Sequence, residues 1–290
     1  FQRALELFRN AHDEPAQALS LQSLALLSHE EGRLADALRD FDAALALIPR
    51  DEDLENYAHT LHNSAAPLRV LGRFDEAIAR FYEAGQILHQ LGDRDGEARG
   101  LDGMDTVLRY AGELQQAKDL LQAAITLRRA SGAKREQAIS LLVLGQIERD
   151  AGHTAAAIAL HDQAAALVSA PHDRAQALIA LGQDYLAAGS LVVARQKFDE
   201  IAGLDLPVTH RYLGLALTEI GILEARAGNT AAAIDALNRA IEIHRINGSE
   251  LEEAQTLYRR AEAAMRAGNA DAVLADTNDA LRLFDGIGLQ

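Results

Sequence analysis

Residues 72–84 read GRFDEAIARFYEA and contain the pattern that decides the fold. The glycine that opens this stretch is placed to end one helix, and the aromatic Phe74 is placed to begin the next. Ala77, Phe81 and Ala84 then follow at helical spacing, so that they share one face. The pattern returns about every forty residues along the chain of 290 residues. A fixed period of this size predicts an all-α array of repeated helix pairs.

Two registers of glycine divide the array. The first has seven members, separated by 40, 40, 40, 37, 39 and 40 residues: Gly32, Gly72, Gly112, Gly152, Gly189, Gly228 and Gly268. The second lies twenty residues after members of the first: Gly92, Gly132, Gly248 and Gly288. Both registers predict positions at which a helix ends in a left-handed backbone conformation, which glycine adopts without strain.

Each repeat is therefore predicted to be a helix A, a glycine turn, a helix B and a second turn. Helices A are expected at 15–31, 54–71, 96–111, 135–151, 174–188, 210–227 and 250–267. Helices B are expected at 34–48, 74–91, 114–130, 154–169, 191–202, 230–247 and 270–285. Residues 1–7 resemble residues 41–47 in the second helix of a repeat, so we expect further sequence upstream in a longer parent protein.

Composition narrows the classes of function. The chain has no cysteine, which excludes disulfides, thiolate metal sites and a cysteine nucleophile within it and suits the reducing cytoplasm. Its formal net charge of −15 is the wrong sign for a protein that binds nucleic acid or an anionic membrane. No catalytic motif or phosphate-binding glycine loop is present, so we expect neither an enzyme nor a cofactor.

The repeat resembles the tetratricopeptide repeat (TPR). In the first unit the residues that match the TPR pattern are Leu21, Leu24, Ala25, Gly32, Ala37, Phe41, Ala44 and Pro49. In the fifth they are Leu178, Leu181, Gly182, Tyr185, Gly189, Ala194 and Phe198. The resemblance covers essentially the whole chain, although most units are longer than the usual TPR. Long units of this kind are typical of bacterial signalling ATPases, transcription activators and kinesin light chains, and similar repeats precede caspase-like proteases.

The resemblance implies a right-handed superhelical solenoid whose helices A line a concave groove. Residues 1–290 are expected to form one array of about seven repeats, with 1–13 as the end of a truncated unit. The repeats are expected at 14–53, 54–93, 94–133, 134–173, 174–209, 210–249 and 250–290.

If helices A line a groove, spacing selects the residues that face it. Those predicted to bind a partner are His59, His62, Asn63, Arg69, Arg99, Asp102, Arg109, Tyr110, Gln146 and Arg149. The four arginines among them could hold the carboxylates and backbone of an extended acidic peptide. The alternative is that each arginine pairs with an acid on its own or a neighbouring helix. His59 and His62 could also share a metal ion, but no third ligand is evident.

Three irregularities lie in the second and third units. Pro67 falls inside a predicted helix A, and Gly100 and Gly103 fall inside the next, each glycine weakening the helix by about 1 kcal/mol relative to alanine. Asp105 occupies a position that is alanine or glycine in the other units, so its carboxylate needs a partner, for which Arg109 one turn on is the candidate. These features indicate either a specialised patch or sequence drift.

The predicted function is a non-catalytic protein–protein interaction module that binds a peptide or partner protein in its groove. The alternative is a sensor or autoinhibitory arm of a larger bacterial signalling ATPase, transcription regulator or caspase-like protease. In that case other domains of the same polypeptide are partners.

Overall fold

The computed structural model describes residues 1–287 and shows fifteen α-helices and no strand in that range. Their bounds are α1 Gln2–Ala11, α2 Glu14–Glu30, α3 Leu34–Leu47, α4 Leu54–Val70, α5 Phe74–Gln90, α6 Arg94–Ala111, α7 Leu114–Ser131, α8 Lys134–Asp150, α9 Thr154–Leu167, α10 Pro171–Ala187, α11 Leu191–Ala202, α12 Arg211–Arg226, α13 Thr230–Ile246, α14 Glu250–Arg266 and α15 Ala270–Gly286. The predicted all-α fold of helix pairs is confirmed. Gly288, of the second glycine register, lies outside the described residues.

The helices group into two compact units, Phe1–Ile147 and a second unit that begins at Glu148. Within the first unit each helix from α1 to α7 packs on the next, and within the second the same holds from α9 to α15. Helices A of successive repeats also touch, because α4 contacts both α2 and α6, and α12 contacts both α10 and α14. Each unit therefore presents a layer of adjacent helices A. None of the helices among residues 1–287 has the length and apolar character needed to cross a membrane.

The glycine registers end helices, as predicted. Gly72 has a φ of 73°, and its backbone N–H donates to the carbonyl of Arg69 at 3.1 Å. The next residue donates back to Leu68 at 2.9 Å, which closes the turn and satisfies carbonyls left free at the end of α4. Nine further glycines of the two registers have the same positive φ. These turns fix where each helix B leaves its helix A.

Small residues allow the two helices of a pair to approach. Ala77 and Ala84 on α5 are fully buried, and Phe81 lies between them on the same face with 5% of its surface exposed. The equivalent alanines after the other glycines, from Ala37 to Ala233, are buried in the same way. The stretch 72–84 is therefore a packing element, in which Asp75 and Glu76 face solvent.

The glycines inside helices are required by packing. A Cβ at Gly182 would lie 2.2 Å from the ring of Phe198, and one at Gly103 would lie 2.3 Å from the ring of Phe81. Gly100 faces the backbone of Gly85, 3.0 Å from where its Cβ would be, so α5 and α6 approach closely there. At Gly100 and Gly103 the interpretation as sequence drift is therefore wrong. Glycine has a low helix propensity, and close packing against an aromatic ring or a neighbouring backbone offsets this cost.

Replacing Gly182 by alanine should destabilise the second unit by about 1–3 kcal/mol, because the fully buried Phe198 has no space into which to move. The measurement is urea denaturation followed by circular dichroism. Gly203→Ala is the control, since a Cβ there makes only an ordinary contact of 3.5 Å with the carbonyl of Glu200. Equal midpoints for the two variants would contradict the packing role of Gly182.

Candidate functional site

A cavity of about 290 Å³ lies between α4, α5 and α6 of the first unit. We call it the Arg69 pocket. It is lined by His62, Ala66, Arg69, Phe81, Arg99, Asp102, Gly103 and Thr106. Four of these residues, His62, Arg69, Arg99 and Asp102, belong to the set that the sequence predicts to bind a partner. The structure thus places polar groups of two successive helices A around one opening floored by an aromatic ring.

Arg69 differs from the other arginines predicted to face the groove. Its guanidinium carbon lies 5.2 Å from the centre of the Tyr110 ring, in a cation–π contact. Within residues 1–287 no carboxylate lies within 4.0 Å of it. Arg99, in contrast, is bound to Asp95 and lies 3.4 Å from Asp93. Arg69 is therefore the lining cation whose charge the described part of the chain leaves without an ionic partner.

The charge of Asp102 is balanced by an arginine that does not line the pocket. Its two carboxylate oxygens accept from Nη1 and Nη2 of Arg128 on α7, at 3.1 and 2.5 Å. Arg128 is only 3% exposed and also donates to the hydroxyl of Ser140 on α8. Burial raises the pKa of Asp102, and the guanidinium of Arg128 opposes that rise. Asp102 therefore acts as the counter-ion of a buried arginine and is not a free acid in the pocket.

His62 forms a neutral wall of the Arg69 pocket. Its ring meets Phe81 edge-on, with 5.0 Å between ring centres. Burial, together with the smaller effects of the charges of Arg99 and His59, lowers the pKa of His62 to about 4. The imidazole is therefore uncharged at neutral pH, and its Nδ1 is buried without a hydrogen-bond partner in the described structure.

The remaining predicted residues of the first unit lie outside the pocket lining. His59 is 3.7 Å from Glu55 on its own helix, and Asn63 is exposed on the same helix. Tyr110 is exposed beneath Arg69, and Gln146 is partly buried on α8. Around His59 and His62, as elsewhere in residues 1–287, no three His, Asp or Glu side chains are grouped to ligate a metal.

Asp105 is paired with the residue expected from the sequence. Its Oδ2 accepts from Nε of Arg109 at 3.3 Å, while its Oδ1 is buried without a partner in the described structure. Burial raises the pKa of Asp105, and although Arg109 opposes the rise, the pKa is about 6. At neutral pH this position therefore holds a carboxylate that the fold would accommodate better in its protonated form.

Arg149 belongs to the second unit and is tied to a buried acid there. Its Nη1 donates to Oδ1 of Asp184 at 3.0 Å and to the carbonyl of Ala180 at 3.1 Å. The other oxygen of Asp184 lies 2.5 Å from Nδ1 of His161 on α9. Asp184 and His161 are both fully buried. They form, with Arg149, an interhelix network that the sequence interpretation did not include.

We expect the pH dependence of stability to separate Asp105→Asn from the wild type. The folded state binds a proton at Asp105 more tightly than the unfolded chain does, because the pKa of Asp105 is about 6 when folded and 3.8 for a free aspartate. The stability that this proton contributes is therefore lost as pH rises through 6. The variant should therefore gain up to about 3 kcal/mol relative to the wild type between about pH 4 and about pH 7.5. Urea midpoints at both pH values measure this, and a parallel change for the exposed Asp119→Asn would contradict it.

Removing Asp184 should be far more costly than removing an exposed acid of the same unit. Asp184→Ala leaves Arg149 without its buried counter-ion, and the expected loss is about 3–5 kcal/mol in the free energy of unfolding. Asp162→Ala on α9, where the side chain is exposed, should change it by less than about 0.5 kcal/mol. Thermal and urea unfolding of both variants measures the difference. Equal stability of the two variants would show that the network around Asp184 does not stabilise the fold.

Comparisons with known proteins bear on the fold. No protein-family model matches the chain, and no curated protein sequence matches it. Among solved structures, the apo form of the quorum sensor NprR from B. thuringiensis superposes with a TM-score of 0.70 at 14% identity, covering 97% of this chain and 80% of that one. A Rap protein complexed with competence and sporulation factor superposes with a TM-score of 0.57 at 13% identity, covering 94% and 75%.

A third structure contains the nearly identical TPR-like repeats of a Podosopora anserina protein assigned as a kinesin light chain. It superposes with a TM-score of 0.54 at 16% identity and covers 65% of this chain and 95% of that one. At these identities the similarity is one of fold. Together with the helix pairs described above, it shows that the chain has the TPR-type repeat fold.

Proposed function

We propose that this TPR-type chain is a non-catalytic protein-interaction module whose Arg69 pocket binds a carboxylate of a peptide or protein segment. The observation that carries the proposal is the guanidinium of Arg69, which lines the pocket and has no carboxylate partner within residues 1–287. A carboxylate is the group that a planar guanidinium binds best, because two parallel N–H···O bonds can form.

The surroundings of Arg69 prepare it for this role. Its contact with the Tyr110 ring holds the guanidinium plane, which reduces the side-chain entropy lost on binding. Asp102 cannot turn to Arg69 without giving up its 2.5 Å ion pair with the buried Arg128. Phe81 and Ala66 supply apolar surface for the methylene groups of the bound side chain.

The local charge also gives selectivity. Arg99 and Arg109 are each matched by an aspartate on their own helix, and Asp102 is matched by Arg128. One positive charge remains in the lining of the pocket, in a protein whose net charge is −15. An acidic segment is therefore attracted at this point and repelled by most other surfaces, so that the charge favours one binding position.

A sensor role within a larger signalling protein is the second candidate. The fold is shared with the quorum sensor NprR and with a Rap protein complexed with competence and sporulation factor, which supports recognition of a peptide or protein signal. In this form of the proposal the module acts in the bacterial cytoplasm, and the bound segment belongs to a partner or to another domain of the same polypeptide.

Selection of a displayed peptide library on the purified chain tests the proposal. We expect the recovered peptides to share an acidic residue or a free carboxyl terminus. Arg69→Gln should weaken their binding at least tenfold, or about 1.4 kcal/mol, because the charge-assisted hydrogen bonds are lost. Isothermal titration calorimetry with synthetic peptides measures the affinity.

Arg94→Gln is the matched control, since Arg94 is an exposed arginine at the start of α6, outside the pocket lining. It should leave the affinity within about twofold. Recovery of peptides that lack a carboxylate and bind the wild type and Arg69→Gln equally would refute the pocket as the binding site.

A further inference from the structure

A second polar cavity, of about 300 Å³, lies between α12, α14 and α15 in the second unit. We call it the Glu219 pocket. It is lined by Thr218, Glu219, Ile222, Gln255, Tyr258, Arg259 and Phe284. One acid, one arginine, two aromatic rings, an aliphatic side chain and two uncharged polar side chains thus line one opening. The sequence pattern did not single out Glu219 or the rings of this cavity as a set.

The carboxylate of Glu219 has no ionic partner in contact. Within residues 1–287 no Lys, Arg or His nitrogen lies within 4.0 Å of it. Burial raises the pKa of Glu219 even though the polar side chain of Gln183 on α10 and the more distant Arg259, Arg226 and Arg149 oppose the rise.

These arginines do not supply the missing contact. Arg259 lines the pocket, but its charge is matched by Glu262 at 2.9 Å, and its guanidinium carbon lies 5.8 Å from the centre of the Tyr258 ring. Arg149 is held by the buried Asp184. Arg226 is exposed near the end of α12 and forms no ion pair in the described structure. The desolvated carboxylate is left facing a cavity rather than a counter-ion.

The aromatic rings favour one sign of ligand. Tyr258 is 48% exposed, and Phe284 is partly buried against the same cavity. Ring faces attract ammonium and guanidinium groups, and they do so more strongly where water is partly excluded. An anion would be repelled by Glu219, and an apolar side chain would bury that carboxylate without a partner.

We propose that the Glu219 pocket binds the cationic side chain of a lysine or arginine, with Glu219 as its counter-ion and the rings of Tyr258 and Phe284 around its alkyl stem. The proposal does not depend on the Arg69 pocket, which lies in the first unit and has the opposite charge preference. It assigns to the second unit a recognition chemistry of its own.

The test uses four blocked amino acids as probes: the N-acetyl N-methylamides of lysine, arginine, norleucine and glutamate. Binding to the full chain is followed by NMR on protein with ¹³C-labelled glutamate carboxyl groups. We expect saturable shifts of the Glu219 signal with the lysine or arginine probe and none with the norleucine or glutamate probe. The ratio of the two cationic affinities identifies the preferred group.

Two further readouts follow from the counter-ion role. Saturation with the cationic probe should lower the pKa of Glu219, because the bound positive charge favours the ionised carboxylate. A fall of about one pH unit corresponds to a tenfold preference of the probe for ionised over protonated Glu219. Glu219→Gln should weaken binding of the cationic probe at least tenfold, while Glu242→Gln, which alters an exposed acid on α13, should leave it within twofold.

Three outcomes would overturn the proposal: equal binding of the norleucine and lysine probes, unchanged affinity in Glu219→Gln, or a pKa of Glu219 that does not move at saturating cation. The last measurement uses the wild type alone, so it decides the matter even if Glu219→Gln fails to fold. Arg69→Gln should leave all three readouts unchanged, which separates this result from the fate of the proposed peptide site.

Discussion

The structure depends on contacts in which a glycine inside one helix receives a large side chain from a neighbouring helix. Gly182 receives the ring of Phe198, and Gly103 receives that of Phe81. Because the backbone can approach only where a side chain is missing, these positions determine the separation and register of the packed helices. The first contact recurs in the next repeat, where a Cβ at Gly221 would lie 2.5 Å from Leu237, and the second joins α6 to the helix B of the preceding pair. Other features of the array are tolerated only where they leave the contact intact.

Two groups of buried charged residues in the described part of the chain form networks that join neighbouring helices. Nine residues after the first-register glycine the array places Phe41, Phe81 and Phe198, but at the same position the fourth repeat has the fully buried His161. His161 is accommodated because Asp184, itself in a position that is leucine in the sixth repeat, is hydrogen-bonded to His161 and accepts a hydrogen bond from Arg149. Arg128 and Asp102 form the corresponding arrangement in the third repeat. In both networks an ion pair takes the place of apolar packing contacts. Removing one member of such a pair lowers the free energy of unfolding strongly, because the other charge is left buried without its partner.

The period of the sequence was sufficient to predict the helix pairs, their turns and the packing role of residues 72–84, because these depend on spacing within one repeat. It was also sufficient to pair Asp105 with Arg109, which are one turn apart on one helix. The partners of Arg128 and Arg149 could not be predicted, since they lie 26 and 35 residues away on other helices. Comparing equivalent positions of the repeats would have indicated a buried arginine, because the residue forty positions before Arg128 is the buried Leu88.

Ligand preference in such an array follows from which charge is left over after the internal pairs form. The sequence offers Arg69, Arg99, Arg109 and Arg149 as equivalents, yet three of them have aspartates in contact and only Arg69 lines a pocket without one within residues 1–287. By the same reasoning Glu219 remains as an uncompensated acid in the second unit although arginines lie near it. A chain of charge −15 can therefore select an anion at one site, because local pairing and desolvation act over a few ångströms while exposed charges farther away are screened.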